Sequence, residues 1–82
     1  MNQTTKDLKA ELEKSAAILR TLRDEVRVQL HLGGMTAKDE WRKLEPRLEA
    51  ALERASKDVS DATRDAVVEL TGAARKIRDS LK

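Results

Sequence analysis

The stretch Leu30-His31-Leu32-Gly33-Gly34-Met35-Thr36-Ala37-Lys38-Asp39 decides the fold, because it carries the strongest break in the 82-residue chain. Gly34, lacking a Cβ, suits the left-handed position just past a helix end. Met35 and Leu30 then stand where a Schellman ending makes its hydrophobic contact. Thr36 follows as an N-cap, with Asp39 three residues on as the short form of a capping box. Asp39 and Glu40 also bring negative charge to the first turn, where the helix dipole favours it. Helix end, turn at 33–36 and helix start fit into about four residues, and so short a connection predicts antiparallel neighbours.

Outward from this turn the apolar residues recur at helical spacing on both sides. Leu8, Leu12, Ser15, Leu19, Leu22, Val26 and Leu30 form one stripe, predicting a helix over about 5–32. Trp41, Leu44, Leu48, Leu52, Ala55, Val59, Ala62, Ala66, Leu70, Ala73, Ile77 and Leu81 form another, predicting a helix over about 37–81. No stretch alternates apolar with polar residues for long enough to suggest a strand. Pro46 conflicts locally with the second helix, since it removes a backbone hydrogen bond and crowds the carbonyl of Arg42. A kink near Pro46 is expected rather than a helix start there, because Trp41 and Leu44 already lie on the stripe.

The second helix repeats every eleven residues: Leu48, Val59, Leu70 and Leu81 form one series, and Leu44, Ala55, Ala66 and Ile77 another. A hendecad of 3.67 residues per turn predicts nearly straight or gently right-handed packing. At 1.5 Å per residue the two helices would run roughly 42 and 68 Å. Folded at Gly33-Gly34, the segment from about 64 to 82 would overhang with no intramolecular partner. Its stripe of Val67, Leu70, Ala74, Ile77 and Leu81 would face water, and exposed stripes of this size mark binding surfaces. The expectation is therefore an all-α antiparallel two-helix hairpin, a single domain over 1–82, dimerising through that stripe into a four-helix bundle or coiled coil.

Composition bounds the chemistry. Charged residues are 39% of the chain, 17 basic against 15 acidic, for a net charge of +2; there is one aromatic residue, one His and no Cys. No disulfide scaffold or thiolate metal site is available. His31 has no Glu three residues before it, so one chain cannot supply the Glu-x-x-His pairs of a metal-binding bundle. It is read as capping open carbonyls at the helix end. Ser15, Ser56, Ser60 and Ser80 all lie away from that His, so no nucleophile–base–orienter set is expected. Gly33-Gly34 lacks the Lys-Ser/Thr of a P-loop. No enzyme, cofactor or metal is expected, and Trp41 is read as a plug of the hairpin end against Leu30, Leu32 and Met35.

Basic residues cluster at Arg20, Arg23 and Arg27 and at Lys43, Arg47 and Arg54, but acids interleave with them. Such mixing reads as a solvated face with ion pairs, and no segment is basic enough for a phosphate footprint. Nucleic acid is the least favoured partner. A membrane surface ranks above it, because the C-terminal stripe is amphipathic and flanked by Arg64, Arg75, Lys76, Arg78 and Lys82. No apolar run behind a basic start and no 20-residue span are present, so a cytoplasmic location is expected.

The stretch from Arg27-Val28-Gln29-Leu30-His31-Leu32-Gly33-Gly34-Met35 through Trp41-Arg42-Lys43-Leu44-Glu45-Pro46 resembles the centre of small, uncharacterised bacterial helical-hairpin proteins. That resemblance implies a bacterial origin and a helical hairpin, and carries no function or ligand. The expected role is a structural or protein–protein interaction module that self-associates, with membrane-surface binding as the alternative.

Overall fold

The computed structural model describes the backbone of residues 2–81 and the side chains of residues 7–81. It is all-α, but with three helices where the stripe predicted two. Helix α1 spans Asn2–Gln29, a 3-10 turn follows at Leu30–Leu32, α2 spans Met35–Ala55 and α3 spans Asp61–Ser80. The long second helix is broken at residues 56–60, and α3 folds back onto the other two.

The break is built from side chains rather than from Gly or Pro. The Ser56 hydroxyl donates to the Glu53 carbonyl at 2.7 Å, and the Asp58 N–H reaches the Arg54 carbonyl at 2.8 Å, which closes the last turn of α2. Ser60 then takes an extended conformation as the N-cap of α3, its Oγ accepting the Thr63 N–H at 3.2 Å. Asp58 Oδ2 accepts the fully buried Thr63 hydroxyl at 2.9 Å, the Ser60 hydroxyl at 3.2 Å and Arg54 Nε at 3.4 Å. The Thr63 hydroxyl, then that of Ser60, with Arg54 adding to them, hold the Asp58 carboxyl below its ordinary range against the cost of desolvation.

Two ion pairs fix the direction of α3. Arg64 Nη1 meets Glu11 Oε2 at 3.1 Å and Arg78 Nη1 meets Glu25 Oε2 at 3.5 Å. Both pairs span the same sequence separation, 53 residues, so α3 runs parallel to α1. Arg23–Glu49 at 3.0 Å and Arg27–Glu45 at 2.7 Å share instead the same residue sum (23+49 and 27+45 are both 72), so α2 runs antiparallel to α1. The result is an up-down-up bundle measuring 48 × 18 × 15 Å between Cα atoms.

The core lies between the three helices. Leu12, Leu19 and Val26 of α1, Leu48 of α2 and Val67 and Ala74 of α3 are almost wholly buried. On α3 the buried positions are Thr63, Val67, Leu70, Ala74 and Ile77, and Leu81, the C-cap just past its end, is buried with them. They recur every seven residues as Thr63/Leu70/Ile77 and Val67/Ala74/Leu81, the seam expected of knobs-into-holes packing. The eleven-residue series that ran through Val59 was counted across the break, and Val59 itself lies in the connection and is exposed.

The turn between α1 and α2 also differs from the expectation. Among the described residues none has positive φ: Gly33 sits at φ −86°, ψ 158° and Gly34 at φ −79°, ψ −177°. Helix α1 therefore ends in the 3-10 turn, with the Gly33 N–H bonded to the Leu30 carbonyl at 3.1 Å, and not in a left-handed cap. Gly34, not Thr36, is the N-cap of α2; Thr36 lies inside the helix, and Met35 is exposed rather than paired with Leu30. Asp39 sits 3.7 Å from Arg42 on the solvent face. Gly33 is needed for a different reason. A Cβ there would collide with Leu81 Cδ2 and sit 3.1 Å from Ala37, so the end of α3 rests on the α1–α2 turn where a side chain would otherwise be. Pro46 is carried within α2, which neither stops nor starts there; Arg42 and Pro46 are both exposed, so water can reach the carbonyl that the proline leaves unbonded.

Candidate interaction surfaces

The five residues expected to form an interface between protomers are core residues of the single chain. Val67, Leu70, Ala74, Ile77 and Leu81 are all at most 6% exposed and pack against α1 and α2. The overhang on which that expectation rested does not exist, because the break at 56–60 returns the stripe to its own chain. Trp41 is buried as expected, with Leu30 against the same core, but Leu32 and Met35 point to solvent. His31 Nδ1 lies 2.9 Å from the Val28 carbonyl; a carbonyl can only accept, so Nδ1 carries the proton and His31 caps the end of α1.

The outer surface divides into two ends and three sides. Val28, Leu32 and Met35 make the α1–α2 end apolar, at 72%, 62% and 74% exposure. That end is small. A cross-section of 18 × 15 Å offers an area of about 270 Å², against about 800 Å² per partner for a stable complex, whereas a side of 48 × 18 Å offers about 850 Å². A stable partner must lie along a side.

The α1–α2 side is tied at the turn end by Arg23, Arg27, Glu45 and Glu49. Towards the opposite end it opens into a cleft of about 260 Å³ floored by Leu12, Ala16, Ala55 and Val59.

On the α1–α3 side, two shallow clefts share Ile18 and Arg75. Ile18 and Val68 are exposed there at 41% and 53%, and Gly72, exposed on α3, lines the second cleft with nothing within 4 Å of where its Cβ would be. The hydroxyls of Thr21 and Thr71 donate back to the carbonyls of Ala17 and Val67, at 3.1 and 2.7 Å. With those protons committed to their own helices, both threonines can offer methyl groups to the surface. The Glu11–Arg64 and Glu25–Arg78 pairs bracket this apolar centre. A parallel register with a constant offset of 53 places Ser15 level with Val68 and Ile18 level with Thr71, a juxtaposition that no local sequence pattern signals.

The α2–α3 side is floored by small and apolar residues, with Lys43, Arg47 and Arg54 along α2 and Lys76 on α3. The basic clusters noted in the sequence thus separate. Arg23 and Arg27 are engaged by carboxylates across the α1–α2 side, while Lys43 and Arg47 line an open groove.

No group of three or more His, Asp or Glu side chains that could hold a metal occurs among the described residues. No helix there is long and apolar enough to cross a membrane. The chain matches no protein-family model, no curated protein and no solved structure. The class these observations define is an all-α three-helix bundle with open side faces.

Proposed function

We propose that the protein is a non-enzymatic protein–protein interaction module, bacterial and cytoplasmic, that self-associates side by side through its α1–α3 face. The observation that carries this reading is the apolar centre at Ile18, Val68 and Gly72, within a rim of both charge signs. An apolar centre with a polar rim is the anatomy of an interface. Gly72 lets a facing backbone come close, and a rim bearing Glu11 with Arg64 at one end and Glu25 with Arg78 at the other suits its own two-fold mate. This interface replaces the C-terminal stripe as the route to a dimer. Membrane binding through α3 has less support, since lipid could reach Val67, Leu70 and Ile77 only if α3 left the bundle.

Light scattering on a size-exclusion column over a wide concentration range tests the proposal. The wild-type chain is expected to run as a dimer that dissociates on dilution. Ile18→Asp with Val68→Asp is expected to abolish the dimer while leaving helicity unchanged, and melting unchanged at dilutions where the wild type is itself monomeric, because both positions are exposed. A wild-type monomer at every concentration, or a variant that still dimerises, contradicts it.

A further inference from the structure

Helix α1 is tied by ion pairs to both of its neighbours, through Arg23 and Arg27 to α2 and through Glu11 and Glu25 to α3. Among the described residues, no ion pair joins α2 to α3. That side is nonetheless rich in cations. Lys43, Arg47 and Lys76 rim a cleft of about 350 Å³ floored by Leu44, Ala73 and Ile77, and none of the three has a described carboxylate within 4 Å. Glu40, at the turn end, is the carboxylate that also lines it. Arg47 borders the next cleft as well, which passes over Ala50, Ala51, Ala66 and Leu70 to Arg54. The two clefts lie end to end along the α2–α3 side with Arg47 between them, and from Glu40 to Arg54 this groove runs about 21 Å, close to four helical turns.

From this rim we infer that the α2–α3 groove is a docking site for an acidic amphipathic helix of a partner protein. Its floor is largely alanine, so a helix can approach to the roughly 8 Å axis separation of close packing. On that rim Lys43, Arg47 and Lys76 outnumber the carboxylate of Glu40, while Arg54 is already paired with Asp58; the occupant supplies the missing anions, a carboxylate row on each flank of an Ala- or Leu-faced helix meeting Lys43 and Arg47 on one side and Lys76 on the other. A second copy is a poor occupant, because a two-fold contact would set Lys43, Arg47 and Lys76 against their own images. A bilayer is a poor one too, since the apolar floor is recessed between two helices and cannot enter a flat lipid surface. Three cations around an apolar floor also give a nucleic-acid backbone little to hold. The groove lies on the flank of α3 opposite Val68 and Gly72, so it stays open whether or not the α1–α3 face pairs.

The test is selection from a displayed library of helical peptides of about 18 residues, long enough to span the groove. One face is fixed as Ala and Leu, the flanks are randomised, and the full chain is the bait. Binders are then measured by fluorescence anisotropy against wild type, against Lys43→Gln/Arg47→Gln/Lys76→Gln, and against Ile18→Asp/Val68→Asp. The expected result is enrichment of Asp and Glu on the flanks, affinity for the glutamine variant at least tenfold weaker, and affinity for the α1–α3 variant unchanged. Circular dichroism of the glutamine variant is expected to match wild type, since all three positions are solvent-facing. Neutral or basic flanks, an affinity indifferent to the glutamine variant, or no binders at all overturns the inference. So does a library that yields nothing while phosphatidylserine vesicles or duplex DNA bind wild type and not the glutamine variant, a result that assigns the cations to a different anion.

Discussion

Leu70→Asp combined with Ile77→Asp is expected to unfold the isolated chain at neutral pH. Both side chains lie in the core, at 5% and 6% exposure, with α1 on one side and α2 on the other. An unpaired carboxylate in such a place costs several kcal/mol, and the group can escape only by protonating or by unfolding its surroundings. A chain of this length has about 4–12 kcal/mol of total stability, so two such costs exceed or consume it. The far-UV circular dichroism of the variant is expected to show loss of most helix at pH 7. Part of the deficit should return on acidification, because burial raises the pKa of each introduced Asp and the protonated form is tolerated better. Full helicity with only a change of molecular mass would mean that the stripe faces a partner and not its own chain.

The second large effect concerns the break at 56–60. Ser56→Ala, Asp58→Ala and Ser60→Ala together are expected to fuse α2 and α3 into one helix and to produce a helix-exchanged dimer, distinct from the side-by-side pair. Losing the Ser60 cap alone costs the bent form about 1 kcal/mol. Each new alanine favours a continuous helix by about 0.5 kcal/mol over the residue it replaces. Removing Asp58 also takes away the acceptor that holds Ser60, Thr63 and Arg54 together. Once straightened, the chain uncovers Val67, Leu70, Ala74, Ile77 and Leu81, and a second copy can cover them at little further cost. The measurement is solution mass in the Ile18→Asp/Val68→Asp background, which silences the side-by-side contact. Doubling of the mass is the expected result, and a persistent monomer means that the break is held by core packing alone. In the wild-type chain, Asp58 has a lowered pKa, so the bent form is at full strength above the ordinary carboxylate range. It weakens as pH falls through that lowered value.

The same break marks where the sequence stopped being readable. The helical class, the hairpin at Gly33-Gly34 and most of the core were legible, because Leu12, Leu19, Leu22, Val26, Trp41, Leu44 and Leu48 announce their face by spacing alone. The start of α3 was signalled too, by Ser60 with Thr63 three residues later and Asp61 in the first turn. That signal was outweighed by an apolar series running through Val59, since a side-chain cap carries no such mark as Gly or Pro and leaves the stripe apparently unbroken. The eleven-residue series through the gap picks up Leu48 from the core of α2, then Leu70 and Leu81 from the two seven-residue series of the α3 segment. The requirement for glycine at position 33 is hidden for a related reason. What demands a glycine there is Leu81, 48 residues away, and that contact exists only after α3 has turned back. Neither candidate surface could be seen in advance. Each is a juxtaposition of helices whose register is set by ion pairs such as Glu11–Arg64, and no single helix holds the pattern.

The return of α3 alongside α1 is the central claim, and a spin-label distance tests it most directly. The native chain has no cysteine, so Asp24→Cys with Asp79→Cys gives two clean attachment sites, both exposed. Glu25 and Arg78, next to these sites, are in contact, so in chains diluted with unlabelled protein the distance between labels is expected to fall below about 20 Å. If residues 37–81 formed one continuous helix, Asp24 would lie level with residue 48. Asp79 would then be a further 31 residues along at 1.5 Å each, and the labels would be roughly 45 Å apart. A distribution centred below about 20 Å supports the three-helix bundle and the side faces built on it, and one centred near 45 Å contradicts both.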